Sequence, residues 1–427
     1  MIVYLLATGM TVALSLWLFP RISANKKTEV AISGISDRNP LQRKKLFSCL
    51  ICMLPLLVVM SCRWGLGVDM WYTYAPGYLA IKSESTRLSE EEEEILKSCY
   101  ELRVWMNREF GDDIQAIKAL TLEQAYEEYY SDYHHTGIGF QLLERLLAYL
   151  QADVQWLLFT TSFLVLGLVF SSIWIQSTRP AWATLFFVIT ANFFVSLNVI
   201  AQYIAVAICL FACSLAEKRK LAWFYVLIAI AVSFHYSAIV FLPVYFLPKL
   251  KIRPRWCVLL VAFSLIISQF SYPLVRQLVL WLAPKYQNYI DGVVGGNEFE
   301  WIFMAINCAV FVLGTFYYEK GKNLPYYRLW YNLNVLAMIT LAFSGVVPWI
   351  KRINYYFAAP HFLFIPLALS LEDHPIRRKV FHGVTVLLFC AEIYVAICVM
   401  NKHGTLPYHA FFQGDRVRWL QSMLNWI

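Results

Sequence analysis

The chain has 427 residues, of which 59% are hydrophobic, 17% aromatic and only 15% charged, with a formal net charge of +8. That is far more apolar than a soluble protein of this length needs, so composition excludes a soluble globular enzyme and points to an all-α polytopic membrane protein. The basic residues sit in short loops between apolar runs, so the charge speaks for membrane topology and gives no reason to invoke nucleic acid.

Apolar segments run near 2 to 19, 46 to 62, 154 to 175, 181 to 197, 199 to 216, 221 to 234, 236 to 248, 256 to 272, 301 to 318, 329 to 349, 353 to 371 and 380 to 400. Each approaches the roughly 20 residues that carry an α-helix across the hydrocarbon core, and about twelve transmembrane helices are expected. The exceptions flank His235 and read as a helical hairpin or one kinked helix. The first segment lacks a charged n-region and a small-residue cleavage site, so it reads as a helix of the mature protein.

If the first loop faces the cytoplasm, the loops on that side hold 21 Lys and Arg, against 7 in the short segments on the other side. The positive-inside rule then puts both termini outside, periplasmic in a bacterial cytoplasmic (inner) membrane. Four regions follow. Residues 1–62 carry the first two helices, 63–153 form an external insertion with amphipathic helices, 154–400 carry the remaining helices and the site, and 401–427 form an external tail. In that tail the run Arg416 to Leu424 reads as an interfacial amphipathic helix.

Within the insertion, 89 to 108 and 122 to 131 carry apolar residues at helical spacing. Ser89 before Glu90 to Glu94 reads as an N-cap, with carboxylates on the positive end of the helix. Five consecutive glutamates fan around a helix and cannot converge on a metal, and no Cys/His spacing suggests zinc, so neither metal nor cofactor is expected. Nine of the ten cysteines lie in or beside apolar segments as packed thiols, and only Cys99 sits well inside the insertion.

The polar residues at membrane depth carry whatever chemistry there is. Arg63 and Asp69 stand six residues apart on Gly-loosened backbone where the second segment ends, and read as an ion pair serving a charged ligand. Asn198 and Gln202 share a helix face, as interhelical glue or as ligands. His235 is either a hydrogen-bonding residue of the packing or a base. Arg352 either snorkels or binds an anion. All six map to the outer ends of helices, which suggests one cavity open to the outside. Two guanidiniums suit a pyrophosphate, because each planar fork holds phosphate oxygens bidentately. A carboxylate suits proton removal from a hydroxyl, and Trp64, Trp71, Tyr72, Tyr74 and Tyr355 offer ring faces to sugars.

The runs RWGLGVDMWYTY (63–74), GIGFQLLERL (137–146), NVIAQYIAVAICLFA (198–212), FHYSAIVFLPVYF (234–246) and KRINYYF (351–357) together resemble the EpsG family of Wzy-like bacterial polysaccharide polymerases. The resemblance implies a GT-C-type fold related to O-antigen ligases. It also implies an undecaprenyl-pyrophosphate-linked glycan as donor, a second lipid-linked repeat unit as acceptor, and metal-independent transfer on the external face. Exopolysaccharide, O-antigen or capsule biosynthesis is the corresponding setting, and a chain-length regulator protein is a candidate partner.

Two departures from the family pattern stand out. Its arginine before the fifth-segment glutamine is Ala201 here, and its glutamate before the Gly-Phe pair is Gly137. The first leaves the pyrophosphate to Arg63 and Arg352, or leaves the chain impaired. The expected mechanism is an inverting displacement in which Arg352 and Arg63 hold the pyrophosphate, Asn198 and Gln202 line it, and Asp69 or His235 takes the acceptor proton. A lipid-linked glycan flippase and a membrane acyltransferase are the alternatives. The first should show ionisable groups near the midplane and internal repeats, and the second a site toward the cytoplasm.

Overall fold

The computed structural model describes residues 1–18, 40–107, 121, 123–124, 137–282, 300–347 and 350–423. The expected insertion helix over 122 to 131 and most of the stretch 273 to 300 lie outside the described residues. Among those described, every regular element is helical, and the one β-type pairing is an isolated bridge between Arg63 and Ala410.

The chain enters through α1 (Ile2–Leu18) and α2 (Pro40–Cys62), then makes a π-helical turn at Met70–Tyr74 that leads into α3 (Ala75–Ser83). The insertion adds α4 (Glu90–Asn107) and α5 (Ile138–Tyr149). After it come α6 (Val154–Gln176), α7 (Pro180–Ile189), α8 (Asn192–Asn198), α9 (Ile200–Glu217) and α10 (Leu221–Phe234). A 3-10 helix, Tyr236–Lys249, precedes α11 (Pro254–Phe270) and α12 (Tyr272–Leu282). The last part comprises α13 (Trp301–Phe316), α14 (Tyr327–Ala342), α15 (Ile350–Ala358), α16 (His361–Leu369), α17 (Pro375–Ile393) and α18 (Arg416–Met423).

Among the described residues three helices are long and apolar enough to cross a membrane, Val154–Gln176, Ile200–Glu217 and Pro375–Val399, and two bent pairs raise the number to five. The expected count of about twelve is not reached by that measure, because several apolar segments are short or broken. The segment 181–197 bends by 55° between α7 and α8, where Ala191 takes a left-handed φ of 59°, and α11 turns by 77° into α12. The segment 353–371 divides at Ala359 and Pro360 into α15 and α16. The short run after His235 solves its length problem differently. Fourteen residues in 3-10 geometry rise about 2.0 Å each and so extend about 28 Å, close to the hydrocarbon thickness.

Packing ranks the helices. In α9, 83% of the apolar window is buried, against 17% for Pro375–Val399, so α9 is the central post and α17 faces outward. Helices α2, α6 and α10 pack around α9 or its neighbours, and α14 gathers α11, α13 and α15 on the other side.

The insertion end is ordered by local signals. Ser89 and Glu92 form a reciprocal capping box: the Glu92 N–H donates to Ser89 Oγ at 3.3 Å, and the Ser89 N–H donates to Glu92 Oε2 at 3.0 Å. Glu92 also meets the Lys82 ammonium at 2.7 Å, with both side chains less than a tenth exposed. Removing one partner of such a pair typically costs about 3–5 kcal/mol, so it ties α3 to α4. Helix α5 is amphipathic with its apolar stripe outward: Ile138, Leu142, Leu146 and Tyr149 are all exposed. That is the pattern of a helix lying at a membrane interface. The tail helix α18 packs on α4 and buries Leu420.

Candidate active site

Beyond α2, backbone pairing with the C-terminal tail holds the chain. The Trp64 N–H donates to His409 O at 2.9 Å, the Phe411 N–H to Cys62 O at 2.9 Å, and the Gly67 N–H to Gly404 O at 2.8 Å. Gly67 has a φ of 85°, and a Cβ there would lie 2.8 Å from Leu197 O and 3.1 Å from Asn198 Cα. Only glycine allows that approach. It brings the next residues under the end of α8, where the Asp69 N–H donates to Asn198 Oδ1 at 3.0 Å. Asn198 therefore positions Asp69 through its main chain.

Around Asp69 the helix ends converge. Gln202 on α9 donates from Nε2 to the main-chain oxygen of Arg352 at 2.6 Å, which fixes the start of α15. The Arg352 side chain stays exposed, and its charge acts on Asp69, Tyr74, His235 and Tyr355. Asp69 is half-buried. Burial pushes its carboxyl above the usual carboxylate range while Arg352 pulls it down, and burial prevails.

His235 caps α10 in extended conformation (φ −153°), which frees its ring from the helix. Its Nδ1 lies 2.6 Å from Ser237 Oγ, and the Ser237 hydroxyl donates to Tyr356 Oη at 3.0 Å. A tautomer that donates from Nδ1 to Ser237 would leave the Nε2 lone pair free to take a proton. The Tyr74 hydroxyl accepts the Ala201 N–H at 3.1 Å. Ala201 itself is only 3% exposed, so this residue sits at a packed position. Gly137 is closely packed too: a Cβ there would meet Ser233 O at 2.3 Å and Phe234 O at 2.5 Å, just before His235.

Asp69, Asn198, Gln202, His235, Arg352, Tyr74 and Tyr355 thus gather at one end of the bundle. Arg63 does not join them. It is fully buried, and its guanidinium donates to Met60 O, to Ser162 Oγ at 3.2 Å and to Leu197 O at 3.4 Å. No ion pair joins it to Asp69 among the described residues, and the Arg63 reading is corrected accordingly: it ties α2 to α6 and α8, because a buried guanidinium must satisfy its donors with whatever carbonyls surround it.

The aromatic readings change as well. Trp64 is fully buried, donates from Nε1 to Arg416 O at 3.1 Å, and lies 5.0 Å beneath the Arg416 guanidinium. Trp71 is 3% exposed and packs edge-on against Tyr72, and the Arg103 guanidinium lies 4.8 Å over the Tyr72 ring. Trp64 and Trp71 are thus buried in packing, and Tyr72 is half-buried against Trp71 and Arg103. Tyr355 does reach a cavity.

One group escaped the sequence reading. Glu144 on α5 is 2% exposed, its Oε2 has no hydrogen-bond partner, and its charge acts on Tyr74 and Tyr78. Burial pushes its carboxyl well above the usual range. Its sequence signal is one acid in the middle of an otherwise mostly apolar helix.

A family model described as the EpsG family matches residues 121–410, more than half of the chain. The chain belongs to the EpsG family. This EpsG-family protein matches no curated protein and no solved structure in the comparisons made. The matched span includes Asn198, Gln202, His235 and Arg352, whereas Asp69 lies before it. Together with the apolar helices, the family assigns an all-helical membrane protein of polysaccharide-polymerase type.

Proposed function

We propose that the protein joins undecaprenyl-pyrophosphate-linked oligosaccharide repeat units into a surface polysaccharide at the external face of the bacterial cytoplasmic membrane. The observation that carries this reading is the exposed Arg352 guanidinium, held by Gln202 through its main chain, with Asp69 and His235 on its flanks.

A guanidinium fork holds the donor pyrophosphate bidentately and stabilises the charge that grows on it as the glycosidic bond breaks. The acceptor hydroxyl attacks the anomeric carbon from the opposite side, so the configuration inverts. The C–O bond to pyrophosphate breaks, and the acceptor proton passes to Asp69 or to His235 Nε2. Pyrophosphate departs as a stable anion, so no acid is needed on the leaving side. Arg63, which the structure commits to backbone carbonyls, has the supporting part of holding the Asp69 run in place.

The site must then face outward. Protease-cleavable tags inserted at residues 90 and 410 are expected to be cut by external protease in intact spheroplasts, and tags at 30 and 376 to be protected. The opposite pattern would put Arg352 and Asp69 on the cytoplasmic side and remove the basis for external polymerisation.

A further inference from the structure

Helix α15 has two working faces. Arg352 and Tyr356 share the face toward Asp69 and Ser237, whereas Lys351, Asn354, Tyr355 and Ala358, at helical spacing i, i+3, i+4 and i+7, line a cavity of about 680 Å³ on another face. Its remaining walls come from α13, α14, α16, α17, the segment that follows α17 and the break between α7 and α8. From Ile302 to Leu313 the lining follows α13 for about 16 Å, so the cavity runs lengthwise down the bundle.

The cavity carries its ammonium groups at one end and is largely apolar along its length, with Thr190, Asn192, His361 and Thr385 as polar interruptions. Lys351 and Lys402 stand at the Arg352 end, where Glu300 contacts their ammoniums at 3.1 and 3.8 Å. Asn307 and Asn354 are 2% and 4% exposed, and the Oδ1 atom of each has no hydrogen-bond partner. Unpaired buried amide oxygens are costly in an apolar setting and mark a place for a hydrogen-bonding ligand. Deeper in, Val310, Leu313, Leu341 and Ile365 supply hydrocarbon walls. Tyr355 joins the two faces, since it lines the cavity and feels the charges of Arg352 and Asp69.

We propose that this cavity binds the phosphorylated isoprenoid chain of a second lipid-linked glycan, the acceptor, on the far side of α15 from the donor at Arg352. The inference rests on the polymerase reading, which needs two such lipids at once. The apolar length takes the chain, the two ammoniums take the phosphate groups, and Asn307 and Asn354, a turn or more further in, accept from water bound beside the phosphates. Glu392 lines the same cavity and acts on Lys402, so it opposes an anionic head group.

Farnesyl pyrophosphate is a suitable probe, titrated calorimetrically against the purified full-length protein in detergent. Wild type is expected to bind two equivalents. Ala309→Phe, which fills the cavity, and Arg352→Gln should each leave one. Lys402→Gln should weaken one of the two sites by about tenfold or more, the value of a charge-assisted hydrogen bond, and Glu392→Gln should tighten that same site. A single equivalent in wild type would overturn the proposal, as would two unaltered equivalents in folded Ala309→Phe and Lys402→Gln proteins. Weaker binding in Glu392→Gln would show that the cavity does not read phosphate, and displacement of one equivalent by equimolar phosphatidylglycerol would show a slot for bulk lipid. Either result overturns it. The count needs no turnover, so two equivalents in a protein that builds no polymer support the second site and count against the polymerase reading alone.

Discussion

Arg352→Lys is expected to lower polymerisation about a hundredfold or more while the protein still folds and inserts. The expectation follows from where the residue sits. Its side chain is exposed, and the bond that anchors the start of α15 runs from Gln202 to the main-chain oxygen, which lysine keeps. Only the planar fork is lost. An ammonium holds phosphate as a point charge and cannot match two oxygens at once, and removing one preorganised donor to developing charge typically costs about 10²–10³ in kcat. The measurement is turnover of lipid-linked repeat unit by purified variant, with thermal unfolding in detergent as the folding control. Near-wild-type turnover in a folded Lys variant would deny Arg352 a bidentate part.

Asp69→Asn is expected to lower kcat by about 10²–10⁴-fold and to change the pH profile. Asn198 grips the main chain of Asp69, so the amide is held where the carboxylate was. The base works only when ionised. Because burial raises the Asp69 carboxyl, the acid limb of the wild-type profile should lie above the usual carboxylate range, with activity present at higher pH and lost as pH falls through it. In Asp69→Asn that limb should vanish along with most of the activity. An acid limb that persists in the variant, with little change in kcat, would move the base to His235 Nε2.

What could be read from the sequence divides along a physical line. Asn198, Gln202, His235 and Arg352 stand out in the sequence because a polar group at the end of an apolar segment has few places to go, but Asn198 and Gln202 do not share one helix face as their spacing suggested: the chain breaks at Val199, which puts Asn198 on α8 and Gln202 on α9. Arg63 was misread because an arginine six residues from an aspartate looks like an ion pair. Its real partners, Met60 O, Ser162 Oγ and Leu197 O, are main-chain or distant groups with no sequence signature. Trp64 failed for the same reason: what covers its ring is Arg416, more than three hundred residues away. The breaks at Ala191 and Ala359 were hidden within continuous apolar runs, since hydropathy reports burial and says little about backbone. Even so, Pro243 and Pro248 within the run after His235 hinted that an ordinary α-helix would not form there.

The central claim is that this chain by itself links lipid-borne repeat units, and the direct measurement is reconstitution of the purified protein in liposomes with a polyprenyl-pyrophosphate-linked oligosaccharide. A ladder of products spaced by one repeat unit, absent with Arg352→Lys and accompanied by release of polyprenyl pyrophosphate, is the result expected. Movement of intact units across the bilayer with no ladder would contradict the account and make the protein a transporter of the same lipid.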